Sequence, residues 1–137
     1  MLQPTEPTSG HTAPQDHYQG NADDIGAEQG GWFMEPNHCE CHPMLAGNDV
    51  KLKWGKHTAG EPRKQWDQGL TEWSLSVLIE GDFSIEFKDE ICTLRNPGDF
   101  VVWRPGVPHT WRANSKSVVL TVRWRARAGS HSQSPCD

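Results

Sequence analysis

Residues 1–50 contain no lysine or arginine, and with eight acids (Glu6, Asp16, Asp23, Asp24, Glu28, Glu35, Glu40 and Asp49) they carry a formal charge of −8. All 13 basic residues lie beyond them, and the whole chain of 137 residues has a net charge of −5. No cluster of Lys and Arg marks a nucleic-acid surface, so no nucleic-acid partner is expected. There is no run of about 18 apolar residues, so no membrane-spanning helix and no membrane partner are expected. The first residues lack a basic stretch followed by an apolar one, so no secretory signal is expected and the chain reads as cytoplasmic. No segment has the period of an amphipathic helix of ordinary length. Gly-x-Ser-x-Gly, glycine-rich phosphate loops and His-Glu-x-x-His are all missing, so no catalytic residue is assigned from motifs.

What is present is unevenly spread. Residues 1–29 hold few large apolar side chains and are rich in Pro, Thr, Gln, Gly and Asp. Such a composition cannot bury enough surface to offset its ordering entropy, so this stretch is expected to be disordered. The same expectation covers residues 127–137, a Ser/Gly/Pro/His tail. All seven Trp fall between Trp32 and Trp124. One folded domain is therefore expected over residues 30–126.

Within that domain the hydrophobic period is two. Leu52 and Trp54 alternate with Lys51, Lys53 and Gly55. Trp73, Leu75, Val77 and Ile79 alternate with Glu72, Ser74 and Ser76. Phe83, Ile85 and Phe87 alternate with Ser84 and Glu86, and Val118, Leu120, Val122 and Trp124 with Val119, Thr121 and Arg123. Turn residues punctuate these runs at Ala59-Gly60-Glu61-Pro62, Glu80-Gly81-Asp82, Asn96-Pro97-Gly98-Asp99 and Pro105-Gly106-Val107-Pro108. Short strands with frequent turns predict an all-β sandwich or barrel. One face of each strand is apolar, as a closed barrel or jelly roll needs.

Four cysteines are scattered, without the spacing of a disulfide scaffold. Cys92 falls in the apolar stretch Ile91–Leu94 and reads as a small buried hydrophobe. Cys136 lies in the tail. His38-Cys39-Glu40-Cys41-His42 brings together two thiols and two imidazoles, groups that bind zinc, though not at the usual ligand spacings. Its plainer reading is a polar loop before the first barrel strands.

The segment from Pro97 to Asn114 resembles the second conserved motif of the cupin superfamily. Gly98, Asp99, Pro105, Gly106 and His109 fill its positions, with Asn114 five residues on. Pro105-Gly106 makes a tight turn, after which the chain re-enters the barrel with His109 aimed at the lumen. Trp73–Phe87 reads as the strand–turn–strand of the first cupin motif. The resemblance spans about residues 50–124 and implies a single-domain jelly-roll barrel. More narrowly, the stretches 53–61 and 118–124 resemble a group of small bacterial cupins sometimes labelled signal peptidase I. That label is rejected, because such a peptidase needs a membrane anchor and a serine–lysine pair.

The resemblance also implies a metal held by two His and a Glu of the first motif and the His of the second. Here the first motif lacks its His-x-His pair. Counting forward from Gly60 puts Trp66, Gln68 and Glu72 at its ligand positions, and counting back from Gly81 puts Gln68, Leu70 and Ser74 there. His57, Glu72 and His109 together would mimic a two-His-one-carboxylate site for Fe, Mn, Ni or Zn. Two functions are therefore expected as alternatives. One is a small-molecule-binding cupin whose pocket is lined by His109, Trp111, Gln68, Trp66, Trp103 and Arg123. The other is a mononuclear metal enzyme of dioxygenase, isomerase or epimerase type. Gly31–Met34 reads as an open edge strand, and a homodimer is expected.

Overall fold

A strand of period two has two faces, and in this protein the more polar one points inward along much of the larger sheet. The computed structural model describes residues 16–36, 43–46, 49–60, 65–67 and 70–125. Among these residues are one short α-helix, α1 (Ala22–Gly26), a 3-10 turn (Pro43–Leu45) and eight strands: β1 (Trp32–Met34), β2 (Val50–His57), β3 (Trp73–Glu80), β4 (Phe83–Glu86), β5 (Ile91–Leu94), β6 (Phe100–Trp103), β7 (Thr110–Ala113) and β8 (Ser117–Trp124). Five strands form one antiparallel sheet in the order β1-β2-β8-β3-β6, and three form a second in the order β5-β4-β7. This is the all-β architecture expected from the period. No helix among the described residues is long and apolar enough to cross a membrane.

Strand register fixes which side chains share a face. Ser74 lies opposite Arg123 on β8 and Trp103 on β6, and Ser76 opposite Thr121 and Val101. Lys53 lies opposite Thr121, and Gly55 opposite Val119. Directly opposed residues in antiparallel strands point the same way. This set faces the second sheet, with Ser74, Ser76, Trp103 and Val119 all buried. The apolar series Leu75, Val77, Ile79 and Leu120, Val122, Trp124 therefore takes the outer face, contrary to the inward apolar face that a closed barrel suggested. Phe100 and Val102 on β6 share that outer face and are exposed, Phe100 at 60%.

The interior changes character along the strands. At one end Leu78 and Val119 pack against the second sheet, and with Trp103, which reaches in from beside Ser74, they join Phe83, Ile85, Leu94 and Ala113 as the apolar core. Each such fully buried side chain contributes about 1.5–3 kcal/mol. Towards the other end the inward residues are Ser76 and Thr121, whose hydroxyls bond at 2.8 Å, then Ser74 and Arg123.

Turns hold the strands in this register. Gly81, at φ 110°, packs so closely on β8 that a Cβ there would lie 2.6 Å from the Ser117 Cα. Asn114 donates to Asp82 Oδ1 and to Ser84 Oγ, both at 2.9 Å, tying the end of β7 to the β3–β4 turn. Asp99 Oδ2 accepts from the Asn96 and Arg95 N–H groups, which hold its carboxyl below the ordinary carboxylate range.

Structure also extends into the segment expected to be disordered. Asn21 caps α1 by accepting from the Asp23 and Asp24 N–H groups, and Lys56 Nζ pairs with Asp23 at 3.1 Å. Gly31 then joins β2, its carbonyl accepting from the Trp54 N–H at 2.8 Å. Composition alone does not register a capping asparagine or a partner 33 residues away.

Candidate functional site

Gly106, with φ 82°, makes the turn before β7, and His109 follows in an isolated antiparallel bridge with Asp67. The Asp67 N–H donates to the His109 carbonyl at 2.8 Å and the His109 N–H to the Asp67 carbonyl at 3.1 Å. This backbone clamp brings their side chains together, with His109 Nε2 3.4 Å from Asp67 Oδ2. His109 Nδ1 lies 3.1 Å from the Val107 carbonyl oxygen. Both ring nitrogens thus face oxygens. An imidazolium can donate to both, whereas a neutral ring would turn one lone pair towards an oxygen. His109 is 3% exposed and its ring lies against Trp103, centroids 4.7 Å apart.

These residues line a cavity of about 40 Å³ between the sheets. From β2 it receives Lys53, Gly55 and His57. From β3 and β8 come Ser76, Val119, Thr121 and Arg123, and from the second sheet Phe83, Ile85 and Trp111. Gly55 leaves the room that the His57 ring uses, since a Cβ there would lie 2.9 Å from His57 Nε2. That ring packs on Trp111 at 4.4 Å and Phe83 at 5.0 Å. Arg123 Nη2 reaches to 4.0 Å from Asp67 Oδ2. A second cavity of about 410 Å³, bounded by α1 and the Gly30-Gly31 turn, abuts the first and shares Lys53, Gly55, His57 and Trp111 with it.

Two polar atoms here are buried without a hydrogen-bond partner, Trp103 Nε1 and Ser74 Oγ. They belong to residues directly opposed on β6 and β3. Nearby, the Trp32 ring is approached by three cations, Lys51 at 5.2 Å, Arg123 at 5.3 Å and Lys53 at 5.7 Å.

Of the pocket residues expected from sequence, the structure brings together His109, Trp111, Trp103 and Arg123. Trp66 is 41% exposed and does not line the cavity. Its neighbour Asp67 takes the inward position, because the 67–109 bridge sets the parity of that segment. Gln68 lies outside the described residues, as do His38, Cys39, Glu40, Cys41, His42 and Cys136. Sequence reasoning missed Asp67, Lys53, Ser76 and Thr121. The signal for the last three was the alternation of β2, β3 and β8 taken with the opposite phase.

The expected metal set is not assembled. His57 and His109 both line the cavity, but Glu72 pairs with Lys51 at 3.2 Å and is not part of the lining. Among the described residues no three His, Cys, Asp or Glu side chains are grouped so as to hold a metal ion. His109 presents its nitrogens to the Val107 carbonyl and to Asp67. These residues do not fit the mononuclear site that the resemblance implies. Cys92, half-buried on β5, is the one free thiol among the described residues. Burial pushes its pKa up, and the Glu90 carboxylate adds to the shift.

No family model and no curated protein matches the chain. Solved structures do. A cupin protein from Bacteroides fragilis is similar at 20% identity with a TM-score of 0.56, over 69% of this chain and 79% of that one. KdgF from Halomonas sp. is similar at 22% identity and a TM-score of 0.52, over 59% and 73%. A cupin superfamily protein from Desulfitobacterium hafniense is similar at 16% identity and a TM-score of 0.52, over 58% and 71%.

Proposed function

We propose that this chain, which has the cupin fold, binds a small polar molecule in its barrel lumen and does so without a mononuclear metal centre. The observation that carries this reading is the gathering of Lys53, His57, Asp67, His109 and Arg123 around one interior cavity. Burying charged and titratable groups opposes folding unless they are paired and hydrogen-bonded. Apolar residues of like volume would give a more stable barrel end, so this chemistry is suited to a ligand rather than to the fold. Trp103 and Trp111 supply flat walls beside those groups, and a quantum-yield signal for binding.

The test is a ligand screen by tryptophan fluorescence on the full chain, run with elemental analysis of protein purified without affinity tag or chelator. The expected result is a saturable fluorescence change that is reduced in Trp103→Phe and in Trp111→Phe, with no stoichiometric metal. One metal per chain, lost in His109→Ala, would overturn the metal-free reading and restore the metal-enzyme alternative. A screen in which neither acids nor sugars perturb the fluorescence would overturn the binding reading.

The proposal includes a homodimer. The outer face of β3, β6 and β8 carries Leu75, Val77, Ile79, Phe100, Val102, Leu120 and Val122, without charge among them, and Phe100, Val102 and Ile79 are exposed. An uncharged apolar face matches itself across a two-fold axis. β1 stands at the open edge of the same sheet, where the sequence placed an edge strand.

A further inference from the structure

The cavity is biased in its chemistry. Among its described lining residues, Lys53 and Arg123 are cations and Asp67 is the one carboxylate. Asp67 already faces the His109 ring at 3.4 Å and the Arg123 guanidinium at 4.0 Å. Lys51, Lys53 and Arg123 converge on the Trp32 ring within 5.7 Å of its centroid, and Glu72 meets Lys51. Like charges brought together oppose one another, and an anion among them relieves that repulsion.

One neutral group points the same way. The Trp103 indole N–H can only donate, and it is buried without an acceptor. Trp103 is 8% exposed and lines the cavity. Arginine's planar fork suits a carboxylate held by two parallel hydrogen bonds. Two cations and a donor-only indole N–H against one carboxylate call for a ligand rich in acceptors.

Resting on the lumen-binding reading, we propose that the ligand is a small organic acid whose carboxylate enters the inner cavity beside Arg123, Lys53 and the Trp103 N–H. The size agrees. The inner cavity, at about 40 Å³, has room for little more than such a headgroup. The neighbouring cavity of about 410 Å³, reached past His57 and Trp111, takes the body of the molecule.

The experiment titrates the full chain with acetate, pyruvate and benzoate, and with acetamide, pyruvamide and benzamide. Inorganic phosphate and glucose are run beside them, followed by tryptophan fluorescence and calorimetry. At least one acid is expected to saturate, its amide binding about tenfold more weakly or worse. Arg123→Gln and, separately, Lys53→Gln should each weaken the acid by about tenfold and leave the amide unchanged. Thermal melting of both variants checks their folding, and Lys53→Gln carries the test if Arg123→Gln does not fold. Amides or glucose binding as tightly as the acids would overturn the acid assignment and leave the lumen-binding reading standing. Phosphate saturating where no acid does would also overturn it, as would acid binding that survives both substitutions. If no probe of any kind binds, the acid assignment and the lumen-binding reading fall together.

Discussion

Replacing Asp67 by Asn removes one charge from the cavity while leaving the backbone in place. The 67–109 bridge is made by main-chain N–H and carbonyl groups, which the substitution does not touch. The lost interaction is the His109 contact at 3.4 Å, an ion pair when the imidazole is protonated, with the longer approach of Arg123 at 4.0 Å. Opposite unit charges at that separation attract by about 5 kcal/mol at an effective dielectric constant of about 20. Removing them from water cancels most of this, and a bond to a charged group nets about 1.5–3 kcal/mol. His109 is almost wholly buried, but the Asp67 side chain is 20% exposed and the contact is long, so a coupling of about 1–2 kcal/mol is expected. The assay is a double-mutant cycle in urea with Asp67→Asn, His109→Gln and the double variant at neutral pH. A coupling below about 0.5 kcal/mol would refute the reading that the Asp67 and His109 side chains hold one another. The same Asp67→Asn protein should bind carboxylate probes at least as tightly as the parent, because the acceptor that competes for Arg123 is gone.

Ser74→Ala should be neutral or stabilising by up to about 2 kcal/mol in denaturant melts, since its buried hydroxyl has no partner to lose; a destabilisation above about 1 kcal/mol would show that it has one. Gly81→Ala should destabilise by at least about 1–3 kcal/mol in the same melts, because its φ of 110° and its contact with Ser117 leave no space for a methyl group. The Asp99 carboxyl is held low by the Asn96 and Arg95 N–H groups, so its contribution is present above the ordinary carboxylate range and lost as pH falls through its lowered value. Asp99→Asn should therefore flatten the acid limb of melting temperature against pH, and an unchanged limb would exclude Asp99 as its source. Phe100→Glu should turn a dimer into a monomer by light scattering with little change in melting temperature, since Phe100 is 60% exposed in the single chain.

How far the sequence carries can be judged strand by strand. Trp73–Glu80 and Ser117–Trp124 were legible as strands because period two survives whichever way a strand faces. Their orientation was not legible, because the usual rule places the apolar set inside. The rule fails here: the outer face is apolar and Ser74, Ser76, Thr121 and Arg123 point in. His109 was legible because the segment 97–114 resembles the second cupin motif, a pattern confined to one stretch of chain. Asp67 was not, because it reaches the site through a bridge spanning 42 positions that no local pattern announces. The cap at Asn21 was local and readable, but the stretch around it had been judged on composition.

The reversed faces also bear on why the lumen is built as it is. Along β3 and β8 the inward pairs run Leu78–Val119, Ser76–Thr121, Ser74–Arg123. The first packs into the core and the second bonds hydroxyl to hydroxyl. The third sets Arg123 beside a buried hydroxyl with no hydrogen-bond partner. Stability alone would continue the Leu–Val pairing to the end of the barrel, at about 25 cal/mol per Å² of apolar surface buried. Instead, polarity rises step by step towards Lys53, Arg123 and Asp67. Under the lumen-binding proposal, a gradient of this kind separates two tasks along the same strands, with the apolar end holding the sheets together and the polar end meeting the ligand. It follows that Leu78→Ala and Arg123→Gln should behave oppositely. Truncating the buried Leu78 side chain should cost about 2–5 kcal/mol of stability. Arg123→Gln should cost far less stability and register chiefly in binding. Equal destabilisation by both would mean that the polar end is as much a part of the core as the apolar one.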